Sequence, residues 1–144
     1  MNTRTTLYNR LLESVLGLKN ALVQAAQLSH SSIPFAQKAA LFIIAKHQTM
    51  TVKQLAEGLH ISSGAVTQQL DGLVEAGLVA RQAGSVDRRS VSVSLSAKGL
   101  DVVEALRKER LELLATWFDD TSDKDLELLA DTLERLQTKV KTLR

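Results

Sequence analysis

Residues 51–79, TVKQLAEGLHISSGAVTQQLDGLVEAGLV, hold two short amphipathic helices and the turns that end them. Thr51 and Gln54 stand three apart, the spacing at which a hydroxyl and an amide satisfy each other's backbone N–H groups at a helix start. Leu55, Ala56 and Leu59 give the first helix its apolar stripe. Ser62 caps a second helix bearing Val66, Leu70, Leu73 and Val74, and Gly77 ends it in the left-handed conformation that glycine adopts without strain. Only His60 and Ile61 lie between the helices, and small Ala56 sits where they approach. The pattern predicts a helix-turn-helix.

Downstream the period changes from helical to alternating. Leu78 to Gln82 and Ser90 to Leu95 read as strands, the second alternating serine with apolar residues. The charged, glycine-bearing stretch from Ala83 to Arg89 joins them as a hairpin loop. Ser96 then caps a long helix from about Ala97 to Phe118.

Outside this middle the chain is helical and amphipathic. Leu7, Leu11, Val15, Leu18, Leu22 and Ala25 recur at spacings of three and four, which draws one apolar stripe along a long first helix. Ser29 to Ser32 breaks it, and Pro34 suits the first turn of a second helix that ends near His47. Ser122 caps the last helix, where Leu126, Leu129, Leu133, Leu136, Val140 and Leu143 form a narrow heptad seam. Such a seam packs against another helix, in the same chain or in a second copy. The second copy is the preferred partner, because little else in a chain of 144 residues is left to cover such arms.

The expected fold is therefore mainly α with a small β-hairpin wing: a winged helix-turn-helix between long N- and C-terminal dimerisation helices. Residues 1–32 are assigned to the N-terminal dimerisation helix, 33–96 to the DNA-binding lobe and 97–144 to the C-terminal dimerisation helices.

The second short helix carries the chemistry. Ser62, Ser63, Thr67, Gln68 and Gln69 are hydroxyl and amide side chains suited to base edges and phosphates in a major groove. Its N-terminal N–H groups add a site for a phosphate. Arg88 and Arg89, near the hairpin tip, can enter a narrow minor groove, where the negative potential is enhanced. The net charge of +2 says little alone, but Arg81, Arg88, Arg89 and Lys98 cluster in the middle of the chain.

From about Ala40 to Gly99 the sequence resembles the multiple-antibiotic-resistance regulator (MarR) family. The 51–79 stretch carries the likeness, together with DRRSVSVSLSAKG at 87–99. The family pattern Asp-x-Arg followed by Leu-Thr/Ser-x-x-Gly stands here as Asp87, Arg89, Leu95, Ser96 and Gly99. The resemblance implies a winged-helix homodimer on a pseudo-palindromic double-stranded operator, commonly a repressor released by a small molecule. It makes Arg89 the minor-groove arginine and Asp87 the carboxylate that shapes the wing. The dimer would interlock through the end helices, with Leu11, Val15, Leu129, Leu133, Leu136 and Val140 in the interface. It also suggests a small aromatic acid as ligand, with Tyr8, Phe42 and Trp117 as the aromatic wall and Arg10 as the carboxylate partner; plain core packing explains the same aromatic residues. Two positions depart from the family: Gln68 stands where arginine is frequent, and His60 where glycine is frequent.

Other classes find little support. The absence of cysteine removes disulfides, thiolate metal sites and thiol redox sensing. No two of His30, His47 and His60 share a helical face at metal-ligand spacing, so neither a metal nor a cofactor is expected. Asp119, Asp120, Asp123 and Asp125 lack the glycine and glutamate of a calcium loop and suit a helix start instead. No nucleophile–histidine–acid grouping or phosphate-binding glycine loop suggests an enzyme. The run from Ala39 to Ala45 falls far short of the ~20 residues that span a bilayer. MNTRTTLYNR lacks the apolar core of a secretion signal, so a cytoplasmic protein without a membrane anchor is expected. The alternative kept open is a winged-helix protein–protein adaptor.

Overall fold

The structure, a computed structural model, describes residues 2–29, 31–84 and 90–143. By internal packing the chain divides into two units, Met1–Val103 and Glu104–Arg144.

In the first unit α1 (Thr3–Gln27) is followed by α2 (Phe35–His47), β1 (Thr49–Thr51), α3 (Val52–Leu59), α4 (Ser63–Glu75), β2 (Val79–Ala83) and β3 (Val91–Leu95). The start of α5 (Ala97–Trp117) completes it. The capping box acts where the sequence places it, whereas Pro34 caps α2 from just outside its first turn. Thr51 Oγ1 accepts from the Gln54 N–H at 3.1 Å, and Gln54 Oε1 accepts from the Thr51 N–H at 2.9 Å. Pro34 stands one residue before α2, and its carbonyl accepts from the Lys38 N–H.

Both helices of the helix-turn-helix end in the same turn. At the end of α4 the Gly77 N–H donates to the Val74 carbonyl and the Leu78 N–H to the Leu73 carbonyl, each at 2.9 Å. At the end of α3 the His60 N–H donates to Glu57 and the Ile61 N–H to Ala56. These paired bonds need a left-handed residue at the turn. Gly77 supplies it with φ of 73° and His60 with φ of 55°. The departure at His60 therefore does not alter the turn: histidine adopts the conformation glycine would, at the steric cost of its Cβ.

The sheet contains a strand the sequence reading did not anticipate. β3 lies in the centre, antiparallel to β2 on one side and to β1 on the other. Its register pairs Met50 and Arg81 with Val93, and Val79 with Leu95. Three residues are too few to reveal alternation, and β1 begins two residues after a helix ends. Gln48, with φ of 63°, turns the chain between them. Leu41, Ile44, Leu55, Val66, Leu70, Leu73, Val93 and Val103 are fully buried and form the core.

α1 joins α2 through Lys38, which is buried and donates from Nζ to the Ala26 carbonyl at 3.0 Å. Ahead of that junction α1 leaves Leu7, Leu11, Val15, Leu18 and Leu22 uncovered.

The second unit holds the rest of α5 and α6 (Asp123–Thr142). Ser122 Oγ accepts from the Asp125 N–H at 3.2 Å, and Asp123 and Asp125 occupy the first turn, where carboxylates suit the helix dipole. Along the seam Leu129, Leu133, Leu136 and Val140 are 43–51% exposed, too much for a face that has found its partner. Among the described residues no helix is long and apolar enough to cross a membrane.

The two left-handed turns give opposite expectations for glycine. Gly77→Ala lowers the free energy of unfolding by about 1–2 kcal/mol, the cost of a Cβ in this conformation. His60→Gly leaves it unchanged or raises it by up to about 1 kcal/mol, because steric relief offsets glycine's greater entropy loss. Urea unfolding followed by circular dichroism reads both.

Candidate nucleic-acid interface

α4 buries Val66, Leu70 and Leu73 and turns Ser63, Gly64, Thr67, Gln68 and Asp71 to solvent. A residue every 100° explains the division: positions 63, 67 and 71 follow one another along the outer face. Gln69 falls toward the buried side and is half-buried, so it stands apart from the other four suggested contacts. Val74, read as part of the apolar stripe, is 38% exposed on the outer side.

The hydroxyls near the helix start are already engaged. Ser62 Oγ accepts from the Ala65 N–H at 3.2 Å, which fixes the start of α4. Thr67 Oγ1 donates to the Ser63 carbonyl at 2.9 Å, so toward a ligand it offers lone pairs and a methyl group. Gln68 is exposed and keeps both an amide donor and an amide acceptor, the pair that matches the major-groove edge of adenine.

Beside this face lies a cleft of about 600 Å³. It is lined by Thr51, Val52 and Lys53 from the start of α3, Ser63 and Thr67 from α4, and Arg81, Ser90 and Val91 from the hairpin. Lys53 was not singled out by the sequence reading; its place at the second position of α3, next to the start of α4, was the available signal. The two other described cations of the basic cluster are held by the protein. Arg81 Nη2 pairs with Asp71 Oδ1 at 2.7 Å and donates to the Thr67 carbonyl at 3.3 Å. Lys98 Nζ donates to the Ala76 carbonyl at the end of α4, at 3.0 Å.

At the hairpin the Gly84 N–H donates to the Ser90 carbonyl at 2.7 Å, the last described bond before the loop. Asp87, Arg88 and Arg89, the wing residues of the sequence reading, lie outside the described residues.

A sequence profile described as the MarR family matches residues 35–91, which covers α2 to the first residue of β3. Residues 35–91 are similar to the MarR family. The organic hydroperoxide resistance transcriptional regulator of Bacillus subtilis is 36% identical over 83 residues, 58% of this chain and 53% of the relative. The chain thus spans about half the length of that relative. A MarR family protein from Bacillus stearothermophilus has the same fold, with a TM-score of 0.86 at 24% identity over 98% of this chain and 99% of the other. So has Streptococcus pneumoniae FabT, solved in complex with DNA, with a TM-score of 0.77 at 22% identity over 95% and 99%. The HTH-type transcriptional repressors YetL and MdtR of Bacillus subtilis are 26% and 29% identical over 67% and 61% of this chain.

The run Leu95-Ser96-x-x-Gly99, just past the matched residues, has a geometric cause. Ser96 donates its N–H to the Leu78 carbonyl at 3.0 Å and its hydroxyl to the Gly77 carbonyl at 2.6 Å. Its Oγ also accepts from the Gly99 N–H at 3.0 Å, which caps α5. A Cβ on Gly99 would overlap the Leu78 carbonyl oxygen, so only glycine permits this approach.

The residues suggested for an aromatic acid are not gathered in the cleft. Tyr8 is exposed on α1, where Arg4 Nε donates to its hydroxyl at 2.7 Å and the guanidinium lies 5.7 Å from the ring centre. Arg10 is exposed, Phe42 is half-buried on α2, and Trp117 is half-buried in the second unit.

Ser62→Ala removes the cap of α4 and costs about 1 kcal/mol of stability. Gln68→Ala, on the exposed face, stays within about 0.5 kcal/mol of the parent. Thermal unfolding of the two variants side by side checks this division.

Proposed function

We propose that the chain is a sequence-specific double-stranded DNA-binding transcriptional regulator that works as a homodimer in the cytoplasm, and not as an enzyme. The outer face of α4 carries this reading: Ser63, Thr67 and Gln68 are presented together beside a cleft that also exposes Lys53. Gln68 reads a base edge, Thr67 adds a methyl contact and acceptor capacity, and Ser62, Ser63 and Lys53 hold phosphates. Gln69 serves as a contact at the margin of the groove. Arg88 and Arg89 enter the flanking minor groove, with Asp87 shaping the loop that carries them.

Two copies place their α4 helices in successive major grooves about 34–36 Å apart on a pseudo-palindromic site. The uncovered stripe on α1 and the exposed seam on α6 support the dimer, since apolar faces of this extent mark an interaction surface. Repression follows from occupying a promoter. A small aromatic acid releases the protein if it binds more tightly to a dimer whose recognition helices are wrongly spaced, because only differential affinity shifts such an equilibrium. Tyr8, Arg10, Phe42 and Trp117 are the residues to vary in a search for that ligand.

Selection of fragmented genomic DNA by the purified protein tests the function, with the Arg88→Ala/Arg89→Ala variant as control. Wild type enriches a few palindromic sites and the control does not. No enrichment by wild type, even at low salt, contradicts the regulator and favours the protein–protein adaptor. For the dimer, Leu133→Lys/Leu136→Lys gives monomers in sedimentation velocity; a double variant that still sediments as a dimer places the interface elsewhere.

A further inference from the structure

Arg81 lies beside the proposed DNA-facing helix, yet the protein already holds it. It stands on β2 opposite Val93, so its stem shares the sheet face of buried Val93 and Met50. From there the guanidinium reaches α4, where it meets the Asp71 carboxylate and the Thr67 carbonyl one turn apart. The Arg81 side chain is 33% exposed and lines the cleft with Lys53 and Ser63; Asp71 is 61% exposed on the outer face of α4. The pair therefore sits on the proposed DNA surface, not behind it.

A carboxylate on that surface repels phosphates, and an arginine attracts them whatever the sequence. Paired, they cancel. We propose that Asp71 is a specificity-determining residue that keeps Arg81 away from the DNA backbone, so that base contacts outweigh sequence-independent charge. This rests on the regulator reading above. Arg81 in turn is a positioning residue: its Nη2 bonds both Asp71 and Thr67, one turn of α4 apart, and ties β2 to that helix. Lys53 shows the contrast, since among the described residues it has no ion-pair partner and is open to a phosphate.

The test is fluorescence anisotropy of the full-length dimer on its selected operator and on a scrambled duplex across a salt series. Asp71→Asn keeps the shape of the side chain and frees Arg81. One more phosphate contact per protomer steepens the log–log salt slope by about 1.8 per dimer. Lowering the salt from ~200 to ~50 mM then strengthens the variant's binding to scrambled DNA by about twelvefold more than wild type's. The operator-to-scrambled ratio falls. In Asp71→Asn/Arg81→Gln the slope returns to the wild-type value, because Arg81 supplies the added contact.

If wild type selects an operator and Asp71→Asn shows the same slope and the same ratio, sequestration is overturned while the regulator stands. A double variant as steep as Asp71→Asn overturns the assignment to Arg81. If wild type prefers no duplex at any salt, the regulator reading fails and this proposal fails with it.

Discussion

The approach of the Leu78 carbonyl to Gly99 is the contact on which the first unit depends. Around it, Ser96 bonds to both Gly77 and Leu78, Gly99 donates to Ser96, and Lys98 satisfies the Ala76 carbonyl. The end of α4, the start of β2 and the start of α5 are thus fixed to one another within a few residues. A helix end usually frays, because its last carbonyls lack partners. Here the Gly72, Leu73 and Val74 carbonyls accept from the Ala76, Leu78 and Gly77 N–H groups, and the Ala76 carbonyl at the cap accepts from Lys98 of the next helix. The cost is a position where no side chain fits, and Gly99 meets it.

With one end of α4 fixed, its other end faces solvent. Its start projects Ser63, Thr67 and Gln68, and the hydrogen bonds already made decide what each still offers. Thr67 spends its proton on the Ser63 carbonyl, whereas Gln68 keeps its full amide. Among the described residues Lys53 and Arg81 are the cations that line the cleft, and Asp71 neutralises the second.

What was legible in the sequence was local. The cap at Thr51 and Gln54, the serine caps of α4, α5 and α6 and the glycine at 77 act over three or four residues, and each appears where its spacing predicts. The alternating serines of β3 were equally plain. What was not legible depends on partners brought from elsewhere. β1 is a strand only because β3 lies beside it. Arg81 and Lys98 read as free cations in the chain, yet Asp71 and the Ala76 carbonyl claim them in the fold. Gln69 shares its chemistry with Gln68, but one step of helical phase turns it toward the core. At His60 the residue type concealed a turn that the backbone makes regardless. The apolar arms were visible as stripes, and in the fold those stripes are exposed.

The central claim is that α4 enters the major groove while the hairpin loop meets the minor groove beside it. Dimethyl sulfate protection on a selected operator tests both at once, since the reagent methylates guanine N7 in the major groove and adenine N3 in the minor groove. The account predicts two patches of N7 protection about 10–10.5 base pairs apart, with adenine N3 protected in the minor groove flanking each patch. Full occupancy with the N7 positions still reactive would contradict it.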